Sequence, residues 1–284
     1  MPKTVLVFDS GVGALSLLPA LRASLPGARI LYASDNAAYP YGTRSADGVT
    51  RRVAEVLARL NERFAPDLAV IGCNTASTVA LPRLRGDLAI PVIGVVPAIK
   101  PAAARSRTHC IALLATPATV ARPYTTQLIE EFASHCEVLR LGSSELVDIA
   151  ERKLRGSPVA LASIEAILAP LKAEPQAARI DTIVLGCTHF PLLRDELARA
   201  WQAPVDWIDS SAAIARRAGE VLAMVTGSIA TPTARDRALP DLAIFTRESA
   251  DLEGLGPALA DYGFAGMEII GMPATAPENA LTRL

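Results

Sequence analysis

The stretches AVIGCNTAST (Ala69 to Thr78) and IVLGCTHFPLL (Ile183 to Leu193) share a plan: an apolar run ends in Gly-Cys, polar side chains follow, and a helical pattern begins. Taken singly, Cys73 or Cys187 reads as a small core hydrophobe, the usual fate of a free cysteine. Two of them at equivalent strand ends read as chemistry, because a sulfur beside the first amides of a helix meets conditions that favour thiolate over thiol. His189 lies two residues after Cys187, where an imidazole can polarise the thiol or accept its proton. Cys110 and Cys136 lack this context and read as structural. Redox pairs are generally close in sequence, as in CxxC, and Cys73 and Cys187 are far apart. A different use fits a two-unit chain: one thiol removes a proton from a bound carbon and the other returns one to the opposite face, inverting a stereocentre.

The elements that position these residues follow from the apolar pattern. Continuous runs rich in Val, Ile and Leu occur at Val5 to Phe8, Ile30 to Ala33, Leu68 to Gly72, Val92 to Val96, Ile111 to Ala115, Val138 to Leu141, Ile183 to Gly186, Val205 to Ile208 and Leu242 to Phe245. Runs without polar alternation indicate strands buried on both faces, as in parallel sheets covered by helices, so the fold class is α/β. Helical patterns follow at Leu15 to Leu25, Ala46 to Phe64, Thr75 to Leu84, Leu146 to Leu154, Val159 to Leu171 and Leu192 to Trp201. Ligands of open α/β sheets bind beyond the carboxyl ends of strands. Here those ends carry Asp9-Ser10-Gly11, Asp35-Asn36, Cys73-Asn74-Thr75, Thr116, Cys187-Thr188-His189 and Asp209-Ser210.

Other motifs carry weaker messages. FDSGVGALS (Phe8 to Ser16) has Gly11 and Gly13 after a strand but serine at position 16, so the dinucleotide fingerprint is incomplete. Asp9 taken alone reads equally well as a buried carboxylate satisfied by nearby amides. DNAAYPYGTRS (Asp35 to Ser45) contains a turn around Pro40 that by itself reads as a plain loop, although beside a strand end its Tyr41 and Gly42 amides could hold an anion. His109-Cys110 and His135-Cys136 resemble ligand pairs, but neighbours on a strand point to opposite faces and no zinc spacing is present, so no metal is expected. The four lysines, Lys3, Lys100, Lys153 and Lys172, all lie outside the strand-end motifs, which argues against a Schiff-base cofactor.

The 284 residues suggest two domains, and VVPAIKPAAARSRTHC (Val95 to Cys110) is the best internal linker. A net charge of -1 without a basic stripe points away from nucleic acid, and no apolar stretch is long enough for a membrane span. Four cysteines without close pairing fit a reducing compartment. The expected partners are a small-molecule substrate or a second copy of the chain, and the expected location is cytoplasmic.

VFDSGVGALS, DNAAYPYG, GCNTAST, LATPATV, LVDIAE and LGCTHFPLL, in that order from Val7 to Leu193, give a close resemblance to the glutamate racemases of the aspartate/glutamate racemase superfamily. The resemblance implies interconversion of L- and D-glutamate, without a cofactor, to supply peptidoglycan precursors. It implies two pseudo-symmetric α/β domains, each a mainly parallel sheet flanked by helices, with the active site in the cleft between them. The expected limits are 1–97 plus 210–272 for the first domain, 98–209 for the second and 273–284 for a tail. Cys73 and Cys187 become the two acid/base residues, serving the D- and L-isomers respectively, with Asp9 assisting Cys73 and His189 and Glu151 assisting Cys187. Without the resemblance, Glu151 reads as a surface helical charge. Substrate binding is assigned to Asp9, Ser10, Pro40, Tyr41, Gly42, Asn74, Thr75, Thr116, Thr119, Thr188 and His189. Many family members form homodimers, in differing arrangements. The chain departs from the family at Ala14, where glycine is common, at ATPATV, and at Arg247-Glu248, where Gly-Asp is frequent. A binding protein of the same fold without turnover is the alternative from another class; loss of exchange with retained glutamate binding distinguishes it.

Overall fold

The computed structural model describes residues 3–226 and 239–274. Ten strands occur in it: β1 (Thr4–Asp9), β2 (Arg29–Ser34), β3 (Leu68–Ile71), β4 (Val92–Gly94), β5 (Cys110–Ala115), β6 (Glu137–Gly142), β7 (Thr182–Leu185), β8 (Asp206–Ile208), β9 (Leu242–Phe245) and β10 (Met267–Ile269). They form two sheets with the orders β10-β9-β2-β1-β3-β4 and β6-β5-β7-β8. Every pairing is parallel. The fold is therefore α/β, and the continuous apolar runs have the expected cause: β3, β5 and β7 are buried at every position.

The chain divides into two compact units, Met1–Val95 with Ser211–Leu284 and Val96–Ser210. The expected tail 273–284 lies outside the described residues from position 275 onward. Within the first unit the order β2-β1-β3-β4 matches β6-β5-β7-β8 of the second, strand for strand. The register matches as well. Gly72 follows β3 and donates its amide to Phe8 O at 2.7 Å, while Gly186 follows β7 and donates to Leu114 O at 2.7 Å. Cys73 and Cys187 thus leave topologically equivalent strands at the same step.

Three sequence expectations change. The segment Val95 to Cys110 is not simply a linker, because Ile99–Arg105 is a helix whose Ile99, Ala102 and Ala103 are buried. Pro101 is tolerated in its first turn, where the missing N–H has no intrahelical partner to lose. The strand β10 has no counterpart among the predicted runs: it has three residues, lies at a sheet edge and exposes Met267 and Ile269. His135 and Cys136 lie in the turn before β6 rather than on the strand, so strand alternation does not separate them from His109.

Candidate active site

In the first unit, β1 delivers Asp9 to the start of a turn and β3 delivers Cys73 beside it. Asp9 is fully buried. Its Oδ1 accepts from the Ser10 amide at 2.6 Å and Oδ2 from the Ala14 amide at 2.7 Å. The Ser10 hydroxyl lies 3.3 Å from Asp9 Oδ1 and 3.8 Å from Cys73 Sγ, connecting carboxylate to thiol. Cys73 is the N-cap of the helix Asn74–Asp87, and no side chain caps that helix. Its first amides are available to an anion, whose charge the helix dipole favours. Asn74 and Thr75 are buried in the same turn, and Asn74 Oδ1 has no hydrogen-bond partner from the protein.

The DNAAYPYG segment is held from beneath by a buried ion pair. Arg52 Nε and Nη2 donate to the two oxygens of Asp35 at 2.7 Å each. Asp35 also accepts from Tyr41 Oη at 2.6 Å and Thr246 Oγ1 at 2.7 Å. Burial first, then the negative charge of Asp35, its hydrogen bond and the nearby Cys73, push the Tyr41 pKa well above the usual phenol value. Tyr41 therefore remains a neutral donor. Pro40 precedes the 3-10 turn Tyr41–Thr43, and a side chain added at Gly42 would meet open space.

In the second unit, β7 delivers Cys187, Thr188 and His189, all buried. His189 Nδ1 lies 3.7 Å from Cys187 Sγ, and Nε2 lies 2.8 Å from Glu151 Oε1. Glu151 comes from the helix Glu145–Leu154, and its other oxygen accepts from Arg155 Nη1 at 2.6 Å. Burial pushes the imidazole pKa down, but the hydrogen bonds to Cys187 and Glu151 and their negative charges outweigh it, leaving the pKa well above normal. A protonated His189 donates to sulfur from one nitrogen and to carboxylate from the other. At the end of β5, Thr116 caps the short helix Pro117–Ala121, and its hydroxyl lies 2.9 Å from that of Thr119.

The geometry thus gathers Asp9, Ser10, Tyr41, Cys73, Asn74 and Thr75 in one unit, and Glu151, Cys187, Thr188 and His189 in the other. Thr116 and Thr119 contact each other. Sequence reasoning missed Arg52 and Arg155. Arg155 carried a usable signal: Glu151 stands four residues before it on a helix, the spacing of an ion pair.

Both glycines have a steric reason. A Cβ on Gly72 would lie 2.4 Å from Ala14 Cβ and 3.4 Å from Phe8 O. On Gly186 it would lie 2.8 Å from Leu113 Cδ1 and 3.2 Å from Ala115 Cβ. Each thiol can end its strand only because the preceding residue lets another segment approach this closely.

The two parallel, helix-flanked sheets agree with the comparisons. Residues 15–218 match the model of the Asp/Glu/Hydantoin racemase family, and the chain belongs to that family. A glutamate racemase of Salmonella typhimurium is 47% identical over 265 residues, 93% of this chain and 91% of that protein. The crystal structure of Escherichia coli glutamate racemase, in complex with L-glutamate and the activator UDP-MurNAc-ala, is 44% identical with a TM-score of 0.88, covering 95% of this chain and 99% of that one. A glutamate racemase isoform from Bacillus anthracis is 26% identical with a TM-score of 0.79, covering 96% and 99%.

Proposed function

We propose that this chain interconverts L- and D-glutamate by a two-cysteine, two-base proton transfer without a cofactor, supplying D-glutamate for peptidoglycan synthesis in the cytoplasm. The observation that carries the reading is the repeated strand-Gly-Cys terminus at matching steps of two sheets. The choice of glutamate rests on the 47% identical relative.

Cys73 as thiolate takes the α-proton of D-glutamate, and the Cys187 thiol delivers its proton to the other face of the resulting carbanion. L-glutamate reacts in the reverse sense. After either turnover the sulfur that began as thiolate is a thiol and the one that began as thiol is a thiolate. Asp9 and Ser10 assist Cys73, while His189, held by Glu151, assists Cys187.

The substrate carboxylates are bound by neutral donors: the first amides of the helix Asn74–Asp87, the Tyr41 and Gly42 amides, and the hydroxyls of Thr116, Thr119 and Thr188. Asn74 Oδ1 accepts from the substrate ammonium, which answers its lack of a protein partner. Two arginines of the site region are committed elsewhere: Arg52 to Asp35 and Arg155 to Glu151. The lysines are likewise committed. Lys3 pairs with Asp67, Lys153 with Glu196, Lys172 donates to Ala200 O, and Lys100 lies over Phe132. Stabilisation of the carbanion then falls to positioned dipoles and exclusion of water.

The test is incubation of the purified chain with L-glutamate in deuterated water. D-glutamate carrying solvent deuterium at the α-carbon is expected; a folded chain that binds glutamate yet incorporates no deuterium would establish the binding-protein alternative instead.

A further inference from the structure

We propose that His109, His135 and Cys136 form a surface site for a borderline transition-metal ion, Zn2+ being its natural occupant, with water completing the coordination shell. Their ligand atoms, one ring nitrogen from each histidine and the Cys136 sulfur, all lie within 4.8 Å of one another. The chain has only three histidines, and two of them converge on this cysteine. The third belongs to the Cys187 site.

The position follows from the second sheet. β5 and β6 are parallel neighbours, so the turns that lead into them sit side by side at the amino-terminal rim. The Glu137 amide donates to His109 O at 2.8 Å, tying one turn to the other. His109 holds a φ of 53°, in the left-handed region, and its ring stands edge-on to that of His135 with centroids 5.4 Å apart. Thr116 and Cys187 lie at the opposite, carboxyl-terminal ends of the strands of this sheet. The cluster is therefore separate from the candidate active site.

The donor set selects the ion. Two imidazoles and a thiolate suit Zn2+, Co2+ or Cu2+ and are a poor match for Mg2+ or Ca2+, which take oxygen ligands. With Zn–N near 2.0 Å and Zn–S near 2.3 Å, tetrahedral ligands stand roughly 3.3 to 3.6 Å apart. Closing from 4.8 Å asks for small side-chain rotations, and both histidines are exposed and able to make them. Two coordinate bonds form from neutral imidazole nitrogens. The third forms from sulfur as the Cys136 thiol proton leaves to solvent. The bound ion joins the turns before β5 and β6, so it stabilises the second unit through the folded state alone.

Co2+ is the probe, added to the full chain after treatment with a chelator. The wild type is expected to show one thiolate-to-cobalt charge-transfer band, saturating at one equivalent and displaced by Zn2+. Cys136→Ser abolishes the band, and Cys187→Ser leaves it intact. His109→Gly keeps the left-handed backbone while removing the ring, and weakens binding by about tenfold or more, a scale reached even by indirect partners of a metal ligand. Far-UV circular dichroism verifies folding, and His109→Gly decides the matter if Cys136→Ser does not fold. The proposal is overturned if the wild type gives no thiolate band, if the band survives Cys136→Ser, if it disappears in Cys187→Ser, or if His109→Gly binds as tightly as the wild type.

Discussion

Cys73 begins a 14-residue helix and touches the Ser10 hydroxyl, whereas Cys187 is followed by the four-residue 3-10 turn Phe190–Leu193 and touches the His189 ring. The strands beneath them are equivalent in order and register, so the difference arises after the strand ends. On the Cys73 side one ion pair acts as scaffold, Arg52 and Asp35 neutralising each other beneath Tyr41, and Asp9 reaches the sulfur through the Ser10 hydroxyl. On the Cys187 side the charges form a line from Arg155 through Glu151 and His189 to sulfur. One duplicated backbone frame therefore presents two kinds of company to its thiols, helix amides and a hydroxyl backed by the Asp9 carboxylate in one unit and an imidazole-carboxylate pair in the other. A reaction that moves a proton in both directions tolerates this inequality, provided that each thiol can reach both protonation states.

The largest expected effect tests what the halves have in common. Cys73→Ala and Cys187→Ala should each reduce racemisation at least about 10³-fold, within the range of general acid-base contributions. Circular dichroism should remain that of the wild type. Near-native turnover by either variant would remove the two-thiol mechanism, because no second proton carrier would then be required.

The next effect separates the halves. His189→Asn and Glu151→Gln should slow turnover about 10- to 100-fold, the scale for residues that act through another group, and the isotope effect with α-deuterated L-glutamate should rise more than that with the D-isomer. The pH dependence has a definite sign. Hydrogen bonds and charge hold the His189 pKa well above its normal value, so the protonated ring persists at neutral pH and is lost only as the pH rises through that elevated value. Glu151→Gln removes one of the raising groups, and the alkaline limb for L-glutamate should move to lower pH. An unchanged limb would dissociate His189 from proton transfer at Cys187.

What was legible in the sequence follows the same division between frame and company. The β1, β3, β5 and β7 runs were readable because burial on both faces removes every polar interruption. The helix Ala46–Phe64 was readable from its apolar pattern, and the structure adds the Ser45 side chain, which accepts the Gly48 amide as an N-cap. β10 escaped notice because three residues at an edge carry too little pattern. The helix Ile99–Arg105 was hidden by Pro97 and Pro101, which mark a loop and a helix start alike. Arg52 was illegible for a different reason: a charged residue on a helix ordinarily faces water, and only tertiary structure shows the carboxylate that it meets, whereas the spacing of Arg155 to Glu151 was readable and overlooked. Glu151 became visible through family resemblance, not through its own spacing.

A third prediction concerns the glycines before the thiols. Overpacking a core costs roughly 1 to 3 kcal/mol, and the two positions should differ within that range. At Gly72 a new methyl meets Ala14 Cβ, which is fixed to the backbone, whereas at Gly186 the nearest atom is the end of the Leu113 side chain. Gly72→Ala should therefore lower the denaturation midpoint more than Gly186→Ala. Adding Ala14→Gly to Gly72→Ala should restore most of the loss. Equal destabilisation, or no rescue, would show that backbone movement rather than this contact absorbs the methyl.

The smallest effect bears on the residue farthest along the relay. Arg155 touches Glu151 rather than sulfur, and its side chain is 24% exposed, so it acts as a positioning residue. Arg155→Gln should reduce turnover of L-glutamate about tenfold, the lower end for a residue that acts through another, with little change in KM. Its charge has the opposite sign to that of Glu151. Removing it leaves the carboxylate more strongly negative beside His189, so the imidazole pKa should rise further and the alkaline limb should move to higher pH. Arg155→Lys keeps the charge and should return the limb toward its wild-type place, though a single ammonium reproduces the Nη1 contacts to Glu151 Oε2 and Glu151 O only in part. Opposite shifts for Arg155→Gln and Glu151→Gln tie both residues to one proton on His189; parallel shifts would reduce Arg155 to a support for the helix end.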